Sequence, residues 1–485
     1  MLTIFVLLGL PLFSTVFTVA NRSARNNHRV TLAMAVAHVG ASFHLLVSCE
    51  NPFPVEGWFA ADPLARFFLI ILSHTFLLVV LYSPGFLRRM EGVEHHQSRR
   101  PYYPALNFYL LANTMVIITQ HFGLLWVVME MTTFSLSPLV YFYRSKESLE
   151  AVWKYLFLVS LGMMFLLMGI LFLGVAARGL SGPHELVMAK LIAQASNLDP
   201  LWVKVSFVLV VVGVSAKIGL APMHPADIDA TSNAPAPVAA LMAGCFRSTA
   251  VLVLLRFYAI VFQTDARPFA QRLMLTAGVL SLGVASVYIW RNRNYKRLLA
   301  YSSVEHMGII VLAIGVGGVA MLGALLHVMF NSLGKIALFF MAGNIHHEFQ
   351  TREVDPIQGL MQRIPWSGFL WGMAFFYIVG TPPFGIFFSE LRMLQGMIEH
   401  RQWLVLSIFL TLLMIIFIGM GRTVLRMLQT PSLTTPERSV VAGRFKLSHA
   451  LGLYALLISV PIALFQPAFL FDTLGMILSG FGFSP

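Results

Sequence analysis

This sequence predicts an all-α polytopic membrane protein of about 14 transmembrane helices, and three observations predict it. Hydrophobic residues make up 58% of its 485 positions and charged residues 11%, under half the charged share of a soluble domain. Mean hydropathy over the whole length is +0.77, which requires a bilayer as solvent. Apolar runs follow one another between charged or Pro/Gly joints, and no hydrophilic stretch is long enough for a soluble domain. This composition excludes a secreted enzyme, a nucleic-acid binder and a disordered tail. The net charge of +12 reads as loop lysines and arginines facing the cytoplasm, with no nucleic acid as partner. Cys49 and Cys245 are the only cysteines and form no CxxC, which excludes an iron–sulfur cluster and a disulfide framework.

In order, the spans fall near residues 1–20, 30–48, 64–83, 104–120, 122–141, 153–176, 203–221, 236–262, 272–290, 299–319, 321–345, 366–389, 403–425 and 449–470. The first is not followed by a small-residue cleavage site and reads as a retained helix. Loops after odd-numbered spans, taken with the adjoining span ends, hold 21 Lys/Arg, and those after even-numbered spans hold 8. The excess places the odd loops in the cytoplasm and both termini outside, as in a bacterial-type inner membrane.

Of the 33 Lys/Arg, only Lys217, Arg247, Arg256 and Lys335 fall inside predicted spans away from their ends; Glu130 and Glu305 join them, with Glu390 at a span edge. A charge at the bilayer centre costs about 2.5–3.5 kcal/mol on insertion scales, so such residues pair, face water or function. A static interhelical salt bridge is the simplest reading of any one of them. Three carboxylates and four bases together favour a proton relay, because desolvation disfavours the charged forms of acid and base alike.

Two segments combine a charge with helix breakers: Lys217-Ile-Gly-Leu-Ala-Pro222-Met-His224-Pro225 and Gly380-Thr-Pro382-Pro383-Phe-Gly385-Ile-Phe-Phe-Ser-Glu390. Proline removes a donor and clashes with the preceding turn, so spans seven and twelve should be interrupted within the membrane. Paired interrupted helices point to a transporter built on an inverted repeat. Spans 4–8 then map onto 9–13, Glu130 onto Glu305 with His306, and Lys217 onto Glu390. The chain divides into an N-terminal three-helix segment (1–100), a first repeat (101–265), a second repeat (266–430) and a C-terminal helix (431–485).

The stretches Leu124–Thr133, Glu147–Leu156 with its Trp153-Lys154-Tyr155, Ala216–His224, Ala234–Met242, Lys296–Gly308, Asn331–Phe340 and Pro382–Glu390 carry a family resemblance. Over roughly residues 60–425 the chain resembles the antiporter-like subunits of respiratory complex I and of multisubunit cation/proton antiporters. It is most similar to the F subunit of hydrogenase-4 and formate-hydrogenlyase-type complexes. The resemblance implies that Glu130 and Lys217 exchange charge with the proton input path. It makes Lys335 the central lysine of the eleventh helix, with His327 before it, and Glu390 the exit-side residue of the broken twelfth helix. His224, Asp229, Arg247 and Lys154 become linker or uptake positions. It also implies other membrane subunits and a peripheral hydrogenase or iron–sulfur arm as partners. Departures from the family pattern are Pro225 and Asp227 in the run after Lys217, Ser248 in place of an eighth-helix lysine with Arg247 beside it, and Asn331 in place of a second histidine. They leave the connecting chain short of titratable groups, since arginine hardly releases a proton, so weakened pumping is an open reading. The chain is expected to lack the long lateral helix that the longest superfamily members carry.

His38, His44, His74 and His121 read as satisfied interhelical hydrogen bonders. His346, His347 and Glu348 read as a solvated helix end, Asp227 and Asp229 as residues of a helix start, and the 25 methionines as packing. His306 could shuttle protons near pH 7. The sequence shows no nucleotide-binding loop, HExxH or nucleophile elbow, so the chain is expected to hold no cofactor or metal and to do no redox chemistry itself. Three functions follow: a proton-translocating subunit of a redox-driven complex, a cation (Na⁺)/proton antiporter subunit, and a structural anchor whose charges are static pairs.

Overall fold

A computed structural model of the chain describes Thr3 and residues 5–48, 58–89, 100–178, 186–429 and 446–483. Cys49 lies outside the described residues. The architecture is helical throughout, and among the described residues only isolated bridges, such as His121 with Val187 and Asn294 with Glu353, tie loop ends together. The helices are α1 (Leu10–Ala20), α2 (Ala24–Ser48), α3 (Pro63–Arg89), α4 (Tyr102–Ile118), α5 (Phe122–Val140), α6 (Lys146–Ala176) and α7 (Pro200–Ile218). They continue with α8 (Pro225–Asn233), α9 (Ala236–Leu241), α10 (Arg247–Phe262), α11 (Arg267–Arg291), α12 (Tyr295–Val316) and α13 (Gly318–Phe349). The last six are α14 (Pro365–Ile378), α15 (Gly385–Glu399), α16 (Trp403–Gln429), α17 (Leu447–Leu457), α18 (Ser459–Phe465) and α19 (Ala468–Gly480). Eleven of the helical segments described are long and apolar enough to cross a membrane.

Burial sorts these helices. The apolar middles of the segment Ala236–Phe262, of α12 and of α13 lie inside the bundle, whereas α6 and α16 turn faces outward. The outward faces carry apolar side chains such as Phe157, Leu404 and Met414, as hydrocarbon contact requires. The inner helices carry the polar residues of the site described below.

Close packing sets the helix positions. Glycine lets backbones approach: a Cβ on Gly162 of α6 would lie 2.9 Å from the carbonyl oxygen of Gly213 in α7. Gly278 of α11 and Gly308 of α12 repeat the arrangement, a Cβ on Gly278 lying 2.8 Å from the Gly308 oxygen. Gly213→Val should therefore overpack the α6/α7 seam and destabilise the chain by about 1–3 kcal/mol. Thermal unfolding of purified protein checks this as a fall in midpoint relative to Gly40→Ala, since a Cβ at Gly40 meets nothing within 4 Å.

Both expected interruptions are present. Helix α7 stops at Gly219, which has φ +83°, and α8 restarts at Pro225; α14 stops before Gly380, φ +70°, and α15 restarts at Gly385. Some expectations fail. The last run is turned between α18 and α19, because Gln466 is left-handed ahead of Pro467, and α17 with α18 forms one span-length segment. Lys296 and Arg66, counted as loop residues, are buried in the first turns of α12 and α3; Arg66 Nε turns back to the Ala61 carbonyl at 2.8 Å. Of the four histidines expected to be satisfied, His38 bonds Ser73 and Thr114, and His121 caps α5 by accepting from Leu124 N. His44 is exposed instead, and His74 leaves Nε2 without a hydrogen-bond partner among the described residues.

Candidate functional site

The interior bases fall into two chemical kinds. Arg247 and Asp227, each fully buried, form an ion pair through both Nε and Nη2, and Nη2 also reaches Thr231 Oγ1 at 3.2 Å. Arg256 meets Asp62 at 3.5 Å and the carbonyl of Ile117. The lysines are bound by neutral oxygens. Lys217 Nζ donates to the Met129 carbonyl and, at 2.9 Å, to Thr132 Oγ1. Lys335 Nζ donates to the Leu299 carbonyl at 3.4 Å and Ser302 Oγ at 2.9 Å. Each lysine thus spans one helical turn of a neighbouring helix, from a carbonyl to a hydroxyl one turn further on. Lys296, missed as a site residue, is held the same way by the Ala234 carbonyl at 3.3 Å.

A carboxylate accompanies each of the two central lysines. Glu130, on α5 beside Met129, lies within electrostatic reach of Lys217, and its Oε2 has no hydrogen-bond partner among the described residues. Glu305, on α12, faces Lys335, and Ser302 sits against both. Lys217 occupies the last turn of α7, where the unsatisfied carbonyls of the helix end favour a cation.

Between the two groups stand Arg247–Asp227 and a hydroxyl pair. A π-turn at Met242–Phe246 joins α9 to α10 and sets the register of Arg247 and Ser248. Ser248 Oγ lies 3.2 Å from Ser332 Oγ of α13. Asn331, beside Ser332, is fully buried with both amide atoms unpartnered among the described residues.

Histidines extend the second group. His306 Nδ1 is 2.9 Å from His327 Nε2, and His327 Nδ1 is 2.9 Å from Ser389 Oγ on α15. Glu390 follows Ser389, and its carboxylate folds back onto Gly380, where an added Cβ would collide with it. At the first break a Cβ on Gly219 would lie 2.9 Å from Asp227 Oδ2. Each break is thus lined by a carboxylate from the helix that follows it.

Lys217 and Glu390, expected to correspond, stand on opposite sides of their breaks. Lys217 precedes its break and Glu390 follows the other, so the residue placed relative to Gly219 as Glu390 is to Gly380 is Asp229. Asp229 is part of a surface ionic group, 3.6 Å from Lys154 and 3.0 Å from Arg297, with Glu150 also bonded to Lys154. His224 packs against the rings of Tyr288 and Tyr301. His346 of α13 faces the Thr351 carbonyl at 3.3 Å, beside exposed His347 and Glu348, as a solvated helix end should. The residues expected to form the relay therefore gather as Glu130/Lys217 and as Glu305/His306/His327/Lys335/Glu390, and His224, Asp229 and Lys154 stand apart from both.

A polytopic helical bundle with two broken helices and two buried carboxylate–lysine groups defines an ion-translocating class of membrane protein. Residues 119–416 match the family described as NADH:quinone oxidoreductase/Mrp antiporter, TM, and the chain belongs to that family. It is 30% identical to the hydrogenase-4 component F homolog of Methylacidiphilum infernorum (isolate V4), over 89% of this chain and 90% of that one. Its fold matches a chain of the Mrp complex from Dietzia sp. DQ12-45-1b with TM-score 0.85 at 17% identity, covering 98% of this chain and 97% of that one. It also matches a chain of the membrane-bound sulfane sulfur reductase, an archaeal respiratory membrane complex, with TM-score 0.84 at 19% identity over 99% and 98%.

Proposed function

We propose that this chain is a proton-translocating subunit of a redox-driven respiratory or hydrogenase-type membrane complex. The observation that carries the proposal is the division of the interior bases. Arg247 and Arg256 meet aspartates, while Lys217 and Lys335 rest on neutral oxygens beside glutamates. A lysine on neutral acceptors gives up a proton without stranding a buried anion, and a nearby glutamate can take it.

In this proposal fourteen spans cross an inner membrane with both termini outside, and two inverted five-span repeats are centred on the breaks at Gly219 and Gly380. The similar lining of the breaks by Asp227 and Glu390 supports the repeat. Other membrane subunits and a peripheral iron–sulfur arm supply the redox energy.

Vesicles holding the purified complex test this against cation exchange. Proton uptake that requires an electron donor and ignores a Na⁺ gradient is the expected result. Na⁺-driven proton movement without a donor would overturn the redox reading in favour of an antiporter subunit.

A further inference from the structure

The chain from His306 through His327 to Ser389 has a defined polarity. The single hydroxyl proton of Ser389 goes to the Ile386 carbonyl, 2.7 Å away. Ser389 Oγ must therefore accept from His327 Nδ1–H, so neutral His327 carries its lone pair on Nε2. That lone pair accepts from His306 Nδ1–H, which leaves His306 Nε2 as a bare acceptor. This atom is buried and has no hydrogen-bond partner among the described residues. His306, His327 and Ser389 are each at most 1% exposed and come from three helices, α12, α13 and α15. Close packing fixes the last contact: a Cβ on Gly323, one turn before His327, would lie 2.7 Å from the Ser389 backbone oxygen.

We propose that Ser389 is a relay residue, the link that passes protons from the histidine pair to the second helix break at Glu390. This rests on the proton-translocation reading. A proton arriving at His306 Nε2 releases the Nδ1 proton of His306 to His327 Nε2. The Nδ1 proton of His327 passes to Ser389 Oγ, and the proton formerly on that hydroxyl leaves toward the Glu390 carboxylate. One proton enters, one leaves, and all three groups end neutral. Their hydrogen bonds then point the other way, so each group must turn back before a second proton passes. The hydroxyl has two resting directions, Ile386 and the break, and its rotation is the gate.

Proton flux is measured in liposomes holding the purified complex, with trapped pyranine and a K⁺/valinomycin potential. Flux above that of a Lys217→Met control is the signal. Ser389→Ala, which removes one oxygen and adds no bulk, should lower flux per chain at least about tenfold, in line with the size of proton-transfer effects. Ser389→Thr, which keeps the hydroxyl, should restore it. Wild-type flux in Ser389→Ala beside a silent Lys217→Met would overturn this inference and leave the proton-translocation reading intact. Equal flux in wild type and Lys217→Met would overturn that reading itself. If Ser389→Ala reduces the amount of complex, the Thr variant decides: flux per complex at the wild-type level supports the hydroxyl relay, and flux at the Ala level overturns it.

Discussion

Lys217→Met should abolish proton translocation, by at least about a hundredfold, while the chain still assembles. The size of the loss follows from the geometry. Lys217 is the only base in the Glu130 group, and its ammonium is placed by Met129 and Thr132 at the end of α7. Methionine fills similar volume without a proton to exchange. The folding effect is small because no buried ion pair is broken: the carbonyl and hydroxyl that Lys217 leaves are neutral, and Thr132 Oγ1 retains its bond to the Met129 carbonyl at 2.7 Å. Methionine also removes the cost of burying an ammonium whose hydrogen bonds go to neutral oxygens. Quenching of a pH-sensitive dye in vesicles, alongside the amount of complex and its melting temperature, measures both halves. A loss of activity that tracks a loss of complex would mean that the lysine is structural.

The breaks were legible because their causes are local. Proline and positive-φ glycine act on their own turn, so Gly219 with Pro222 and Gly380 with Pro382 and Pro383 announce themselves. Charges in apolar runs are rare enough to be counted, which exposed Glu130, Lys217, Glu305 and Lys335. Their partners were not legible. Threonine and serine are ordinary in membrane helices, and only packing shows that Thr132, Ser302 and Ser389 are the hydroxyls facing a lysine or a histidine. The Arg256–Asp62 pair joins residues 194 positions apart, a distance no local pattern spans. Lys296 was read as a loop residue because it fell between two predicted spans, yet α12 starts earlier and its helix geometry turns Lys296 inward. Family likeness suggested a missing titratable group at Ser248. The structure fills that place with a hydroxyl pair and an ion pair.

That ion pair yields the largest stability effect. Arg247→Met should destabilise the chain by about 3–5 kcal/mol, because it leaves the Asp227 carboxylate buried without a counter-charge. Asp227 has no exposure to share the penalty, and its Oδ1 already lacks a hydrogen-bond partner among the described residues. The variant should therefore reach the membrane in reduced amount and melt early. Adding Asp227→Asn removes the stranded charge at nearly constant shape, so the double variant should recover most of the loss, and a double-mutant cycle should show the coupling. Lys217→Met needs no such rescue, since its acceptors are neutral. The contrast separates a static anchor from a working relay. In an anchor, neutralising the lysines and neutralising the arginines would both act through assembly. In a relay, the arginine variants lose complex and the lysine variants lose flux. A cycle in which Arg247→Met and Asp227→Asn simply add, with no recovery in the double variant, would show that the pair does not hold the first break, and its place beside Gly219 would need another cause.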